Sequence, residues 1–424
     1  MASKWVHTRI GQVAHRVTKG TTPTTIGGQF TEGGIAFVKA ESITDDGRID
    51  ETKVAHIDDV TNKLLSRSVL NEEDILFTIA GTIGRVAMVS CAVLPANTNQ
   101  AVAIIRPNRS VIEPRYLYYA LRDRQRVRRA LTRVVQSVQA NLSLAELSET
   151  EIPLPSKQEQ RAIAHILGAL DDKIELNRRM NQTLEAMAQA LFKSWFVDFE
   201  PFRDQGVQDS PLGVIPVGWH TGRLGDSVQF LGGYAFKSND WIEQGVPVVK
   251  IGSVKPGIVD LSEVSFVSNE VAEEAKRFRL SPADLLIGMT GYVGEVGLLP
   301  PTDNPPLLNQ RVGKFVLEKE GTEALAFTYC LTRRPDFKAA VETSAHGTAQ
   351  ANVSAEGILS IPVVVPPKLV RDAFNRLCQP VFDRILCNHS ESQILASIRE
   401  ALLPKLLSGE LRPRDADRLR EERV

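Results

Sequence analysis

Apolar positions along the chain follow two periods, and each pattern occurs twice. Short apolar runs at Ile35–Lys39, Ile75–Ile79 and Ala101–Ile105 predict β-strands, separated by turn residues at Gly33-Gly34, Asp45-Asp46-Gly47, Gly81 and Gly84. Tyr116 to Val135 then predicts a helix. The scheme returns with strands at Val246–Ile251, Leu285–Met289 and Gly313–Leu317. After each block the period lengthens to an alternating four-three step. It visits Ile163, Leu167, Leu170, Ile174, Asn177, Asn181, Leu184, Ala188, Leu191 and Trp195. The second pass visits Phe374, Cys378, Val381, Ile385, Asn388, Ser392, Leu395, Arg399, Leu402 and Leu406. Both passes follow the heptad seam of a coiled coil and place asparagine at the same step, Asn177 and Asn388, where a buried polar pair fixes register at some cost in stability. Helices packed as simple core against their own domains are the competing reading.

The halves align residue by residue at an offset of about 210: Ile75–Ala87 with Leu285–Gly297, Asn99-Gln100 with Asn309-Gln310, and Leu154-Pro155-Ser156-Lys157 with Val365-Pro366-Pro367-Lys368. A period this long is a whole domain plus its connection, far beyond a solenoid unit of about 20 to 50 residues. The expected architecture is α+β: two similar globular modules separated by two long antiparallel coiled-coil helices, with an internal pseudo-two-fold repeat. The first module occupies residues 1–155, its helix 156–200, a Pro/Gly-rich hinge 201–218, the second module 219–366, its helix 367–410 and a charged tail 411–424. A helix over Lys157 to Phe199 spans roughly 60 Å at 1.5 Å per residue. Opposed helices of that length hold two modules at a fixed separation, as a ruler does. Pro380 is expected to start or kink the second helix, and Arg399 interrupts its apolar seam.

Composition narrows the class. The 424 residues are 43% hydrophobic with a mean hydropathy of −0.12, and no apolar run approaches the 18 or so residues of a membrane span. The N-terminal segment mixes Lys4, His7 and Arg9 with Trp5, unlike a secretory signal, and Cys91, Cys330, Cys378 and Cys387 form no CxxC pair, so a reducing cytoplasm is expected. A net charge of −1 announces no nucleic-acid partner. Locally, however, Arg122, Arg126, Arg129 and Arg133 fall on one helical face against a single acid, Asp123, a stripe suited to phosphates or simply a solvated face.

Catalytic chemistry is not expected. Asn304-Pro305-Pro306-Leu307 has the order of an adenine-methyltransferase motif, but Leu307 stands where an aromatic would stack on the base, so a loop is expected. Gly288, Gly291, Gly294 and Gly297 read as a turn between strands, because the first half keeps only Gly81 and Gly84. There is no GxxxxGK[ST] motif, the seven histidines show no metal-ligand spacing, and no nucleophile, base and oxyanion donor assemble.

The order module, LPSKQEQRAIAHILGALDDKIELNRR, module, VPPKLVRDAF resembles the specificity subunit of type I restriction-modification enzymes over nearly the whole chain. Its most specific pieces are Leu154–Ile163, the Gly-Thr-Ile-Gly segment with its downstream Asn-Gln, and the Gln-x-Asn elements Gln139/Asn141 and Gln350/Asn352. The second helix departs from the first, with Val370-Arg371-Asp372 in place of Glu159-Gln160-Arg161. The resemblance implies two target recognition domains, each reading one half of a split site in double-stranded DNA. It further implies spacer helices that set the gap and dock two methyltransferase subunits, with restriction subunits in the larger assembly. No membrane is involved. No cofactor belongs to this chain; S-adenosylmethionine, ATP and Mg are expected only in partner subunits.

Base readers need paired donors and acceptors on loops. The matching loop positions are Lys19, Thr21 and Thr22 against Tyr234 and Lys237, and Lys39 and Ser42 against Lys250 and Ser253. Thr82 and Arg85 stand opposite Tyr292 and Glu295, and Gln136 and Gln139 opposite Gln350. For the Gln-x-Asn elements, closing the joint between module and helix competes with base contact. Glu295 suits either a cytosine amino group or a nearby cation. Two other classes stand beside the DNA reader: a coiled-coil protein-interaction scaffold without DNA specificity, which the net charge favours, and the specificity half of a methyltransferase with no restriction partner.

Overall fold

A computed structural model describes residues 5–123, 141–317, 324–345 and 351–413. The chain divides into two compact units, Met1–Lys173 with Leu395–Val424, and Ile174–Ile394. Each holds one recognition module and the adjoining stretches of both long helices.

In the first unit, an antiparallel sheet orders its strands Ala14–Lys19, Val102–Pro107, Ile75–Thr78, Val86–Met88. A second sheet runs Phe30–Thr31, Ala55–Ile57, Ile35–Val38, Ala96–Thr98, its last pair parallel. A short ribbon pairs Val6–Arg9 with Glu151–Leu154 and closes the module onto the start of its helix. The second unit repeats this with Gln229–Gly232, Val312–Val316, Leu285–Gly288, Val296–Leu298 and an added Gly257–Ile258. Its second sheet is Trp241–Ile242, Ser265–Val267, Val246–Val249, Leu307–Leu308. The duplication extends to register: Ile75 faces Ile105 as Leu285 faces Phe315. The predicted turns are there, Gly81 and Gly84 at φ 73° and 93°, Gly291 and Gly294 at φ 76° and 79°, a region glycine enters without a Cβ penalty.

The first long helix, Lys157–Phe196, opens on a capping box. Ser156 Oγ accepts from the Glu159 amide while the Glu159 carboxylate accepts from the Ser156 amide at 3.1 Å. It stops three residues before the expected Phe199, which takes a left-handed φ of 54° and lays its ring 5.3 Å from Trp219. The second, Lys368–Ser408, runs unbroken through Pro380, so that proline does not start it; Gly409, at φ 74°, follows its end. No position of either predicted seam is exposed. Within the second unit, Asn177 reaches Asn388 and Ser392, Asn181 reaches Ile385, and Phe192 stacks near Phe374, so the sequence numbers run in opposite directions. Within the first, Asp171 meets Arg399. The helices are antiparallel in both.

The core reading also holds in part. Ile163, Ala164 and Leu167 with Leu403, Leu406 and Leu407 belong to the first module's apolar core. Phe192, Phe196, Phe374 and Phe382 belong to the second's. One side of each helix meets its fellow and another meets a module, an apolar face wider than a two-stranded seam needs. The segment 201–218, expected as a hinge, is folded: a hairpin pairs Val207–Ser210 with Gly213–Pro216, and Phe202 and Ile215 are buried in the second unit's core. Asn304–Pro306 lies in the expected loop, but Leu307, expected to share it, begins the strand Leu307–Leu308 and pairs with Val248.

Candidate nucleic-acid interface

Each module brings the loop after its first sheet strand against the Asn-Gln segment. Gly20 donates its amide to the Asn99 carbonyl at 3.1 Å, and a Cβ on Gly20 would lie 1.7 Å from the Thr98 oxygen. Gly233 approaches Asn309 as closely, a Cβ there falling 2.3 Å from its carbonyl. Only glycine permits either approach. The loops then carry Thr22, whose hydroxyl donates to the Gln100 side chain, and Tyr234, whose backbone brackets Leu308 and Gln310. Lys19, before this loop, is exposed, Thr21 half-buried and Lys237 exposed.

A second shared feature lies at the end of the parallel strand pair. Lys39 follows Ile35–Val38 and holds its ammonium 4.9 Å from the centre of the Phe30 ring. Lys250 follows Val246–Val249 and sits 3.6 Å above Trp241. Phe30 and Trp241 are themselves repeat equivalents, so both modules contain one aromatic–lysine pair. Such contacts are worth about 0.5 to 2 kcal/mol, more as water is excluded, and they restrain a long side chain. In the second module the aromatic surface extends through Phe236, 5.4 Å from Trp241, to Tyr234 and Phe278. Burial, and then the positive Arg311, hold the Lys250 ammonium below its usual range.

Four expected contacts are corrected. Ser42 is wholly buried and donates to the Lys53 carbonyl at 2.8 Å, and Ser253 is wholly buried too. Arg85 ties two loops together, donating to the Ile43 carbonyl and to Asp45 at 2.7 Å. Arg122 is withdrawn from solvent, its side chain 8% exposed between Tyr118 and Asp171, so it belongs to the module–helix joint rather than to a phosphate. Its repeat equivalent, Arg333, likewise pairs with Glu185 of the first long helix at 3.1 Å. Glu295 pairs with Lys338, the cation its alternative reading required. Arg126, Arg129, Arg133, Gln136, Gln139 and Gln350 lie outside the described residues, as does the predicted helix beyond Asp123; the described part is Pro114–Arg122. Thr82 is exposed on the strand turn, and Tyr292, on the equivalent turn, is 66% exposed. Asn352 accepts from Thr290 at 2.8 Å, closing that turn onto the end of the module. Asn177 and Asn388 are both fully buried; Asn388 Nδ2 donates to Asn181 at 2.8 Å.

Two functional features escaped the sequence reading. One is the aromatic–lysine pair, legible only as an aromatic nine residues before a lysine in both halves. The other is why LPSKQEQ matters. Gln160, 1% exposed, accepts from the Glu113 amide at 2.8 Å and donates to the Pro155 carbonyl, capping the Pro114–Arg122 helix and fastening it to the spacer. In the second half, where Arg371 replaces glutamine, Asn375 takes over one turn later, accepting from Phe327 at 2.8 Å near the start of Leu325–Thr332.

Two unequal modules on paired helices, presenting lysines, aromatics and hydroxyls at matching loops, define a duplicated recognition protein. Among the described residues no cluster of His, Cys, Asp and Glu could hold a metal, and no helix is long and apolar enough to cross a membrane. The profile of the family described as Type I restriction modification DNA specificity domain matches residues 2–186 and 216–371, and the chain belongs to that family. It is similar to the MjaIX type I restriction enzyme specificity subunit of Methanocaldococcus jannaschii, with 30% identity over 95% of this chain and 92% of that protein. It is also similar to the HindI specificity subunit of Haemophilus influenzae, with 25% identity over 73% of this chain and 80% of that protein. A crystal structure of the type I restriction-modification S subunit from M. genitalium shares the fold, with a TM-score of 0.53 at 19% identity, over 95% of this chain and 96% of that one. The chain is thus a DNA sequence-recognition subunit, non-catalytic itself, whose partners are DNA and methyltransferase.

Proposed function

We propose that this chain reads one asymmetric, bipartite site in double-stranded DNA in the cytoplasm, one half-site per module. The long helices set the gap and dock two methyltransferase subunits, and restriction subunits join in a larger assembly. S-adenosylmethionine, ATP and Mg act in those partners. The observation that carries this reading is divergence at matching tips, Thr21 against Tyr234 and Thr82 against Tyr292, on modules whose strands keep the same register. Different side chains on one scaffold are what two different half-sites require. Asn177 and Asn388 hold the helix register and with it the gap. Sequencing of methylated adenine in a host, with and without this gene beside its methyltransferase, tests the reading. One split motif that depends on the gene supports it. Methylation independent of the gene, with an active partner present, favours a protein scaffold instead, the reading to which the net charge of −1 lends weight.

A further inference from the structure

The two aromatic–lysine corners share a backbone and differ in charge. In each, a lysine and the loop after Asn-Gln leave the ends of two strands paired in parallel, Val38 with Thr98 and Val249 with Leu308. An asparagine side chain turns that loop in both, Asn99 accepting from the Ala101 amide and Asn309 from the Arg311 amide. In the first module Lys39 has Glu41 3.8 Å away, and the loop position is Ala101. In the second, Gly252 replaces the glutamate, and the loop position is the exposed Arg311. No ion pair of Lys250 with a carboxylate occurs among the described residues, and its neighbours are Trp241 and Arg311. One corner is formally neutral; in the other, the Asn309 amide donates to the Val249 carbonyl at 3.2 Å and so sets the Arg311 loop beside Lys250 and its aromatic wall. Like charges held together without a counter-charge favour an anion between them.

We propose that the Trp241–Lys250–Arg311 corner is a phosphate grip, and that the matching Phe30–Lys39–Glu41 corner holds phosphate weakly or not at all. The protein then anchors on the half-site of its second module, while the first contributes sequence discrimination with little salt dependence. The inference rests on the DNA-reading function. It adds which module supplies the electrostatic hold and which residues carry it.

Each phosphate neutralised contributes about 0.9 to the slope of log affinity against log salt, so each lost contact removes about a 3.5-fold share of the decline over a fourfold rise in salt. The test is anisotropy titration of the chain with its methyltransferase subunits on a duplex carrying the recognised site, from low to moderate salt. Lys250→Gln and Arg311→Ala should each flatten the slope by about 0.9, Lys39→Gln should flatten it by less than half of that, and Glu41→Gln, which frees Lys39, should steepen it. The methylated motif should stay the same in all four. An unchanged slope in both second-module variants overturns the proposal. So does equal flattening by Lys39→Gln and Lys250→Gln, or a motif relaxed at one base in Lys250→Gln with the slope intact, which would make Lys250 a base reader. A wild-type complex with no preference for its site would instead refute the DNA-reading function, so the two failures are distinguishable.

Discussion

Removing Asp171 should loosen the first module from its helices more than any nearby charge deletion. Its carboxylate accepts from Tyr119 Oη at 2.6 Å and from Arg399 Nη1 at 2.5 Å, with Arg122 Nη1 at 3.4 Å. Both guanidiniums are only 8% exposed and Asp171 itself 20%, whereas Glu400, which also faces both, is 59% exposed. Burial works against the Arg399 charge and Asp171 overrides it, leaving the guanidinium above its usual range. Asp171→Ala therefore strands two buried cations and a buried hydroxyl. Breaking one partner of such a pair costs about 3 to 5 kcal/mol, and the lower end applies because Asp171 keeps some solvent and Arg399 retains Glu400. Arg399→Leu is different. It restores an apolar residue to the seam and leaves Asp171 with Tyr119 and Arg122, so its effect should stay within about 1 kcal/mol. Hydrogen exchange on the intact chain measures both, with the second unit as internal reference. A loss of about 3 kcal/mol accelerates exchange in Pro114–Arg122 on the order of 100-fold. Acceleration below tenfold for Asp171→Ala, or an Arg399→Leu effect as large, would refute the argument that these charges are desolvated.

Gln160→Ala should cost about 1 to 3 kcal/mol, because the Glu113 amide is left buried without its acceptor; Gln160→Glu keeps that acceptor but loses the bond to the Pro155 carbonyl, and thermal denaturation should rank it between alanine and wild type. One heptad inserted into both long helices should widen the recognised gap by about 10 Å, or about three base pairs, with half-sites unchanged; methylation sequencing that finds altered half-sites and the old gap would sink the ruler. Hydrogen bonding from Arg178, then from Arg179, holds the Glu175 carboxyl down from its ordinary 4.5 to about 2. That contribution is fully present above pH 4.5 and fades as pH falls toward 2, so Glu175→Gln should lower stability at neutral pH, flatten the acid side of a stability profile across that window and match wild type near pH 2.

Much of the architecture was legible because it is written twice. Periodicity identified three strands in each module and both long helices, and repetition fixed which turns correspond, since glycines such as Gly84 and Gly294 mark left-handed backbone whatever surrounds them. The asparagines at the seam were equally legible, because a polar residue at a heptad step has nowhere to go but the interface. Side-chain destinations were not. Arg122, Arg85 and Ser42 look like surface donors in a sequence, and only folding revealed the carbonyls and carboxylates waiting for them.

The sequence by itself thus determined that two like modules alternate with two long helices, for hydrophobic period is a local property and a duplicated period is unmistakable. Tertiary structure alone decided which polar groups remain available for DNA. Hydrogen-bond satisfaction depends on partners far along the chain: Asp171 with Arg399, and Gln160 with Glu113. A buried arginine matched by a carboxylate is spent on stability, while a half-buried lysine set against an aromatic ring and another cation is left seeking an anion.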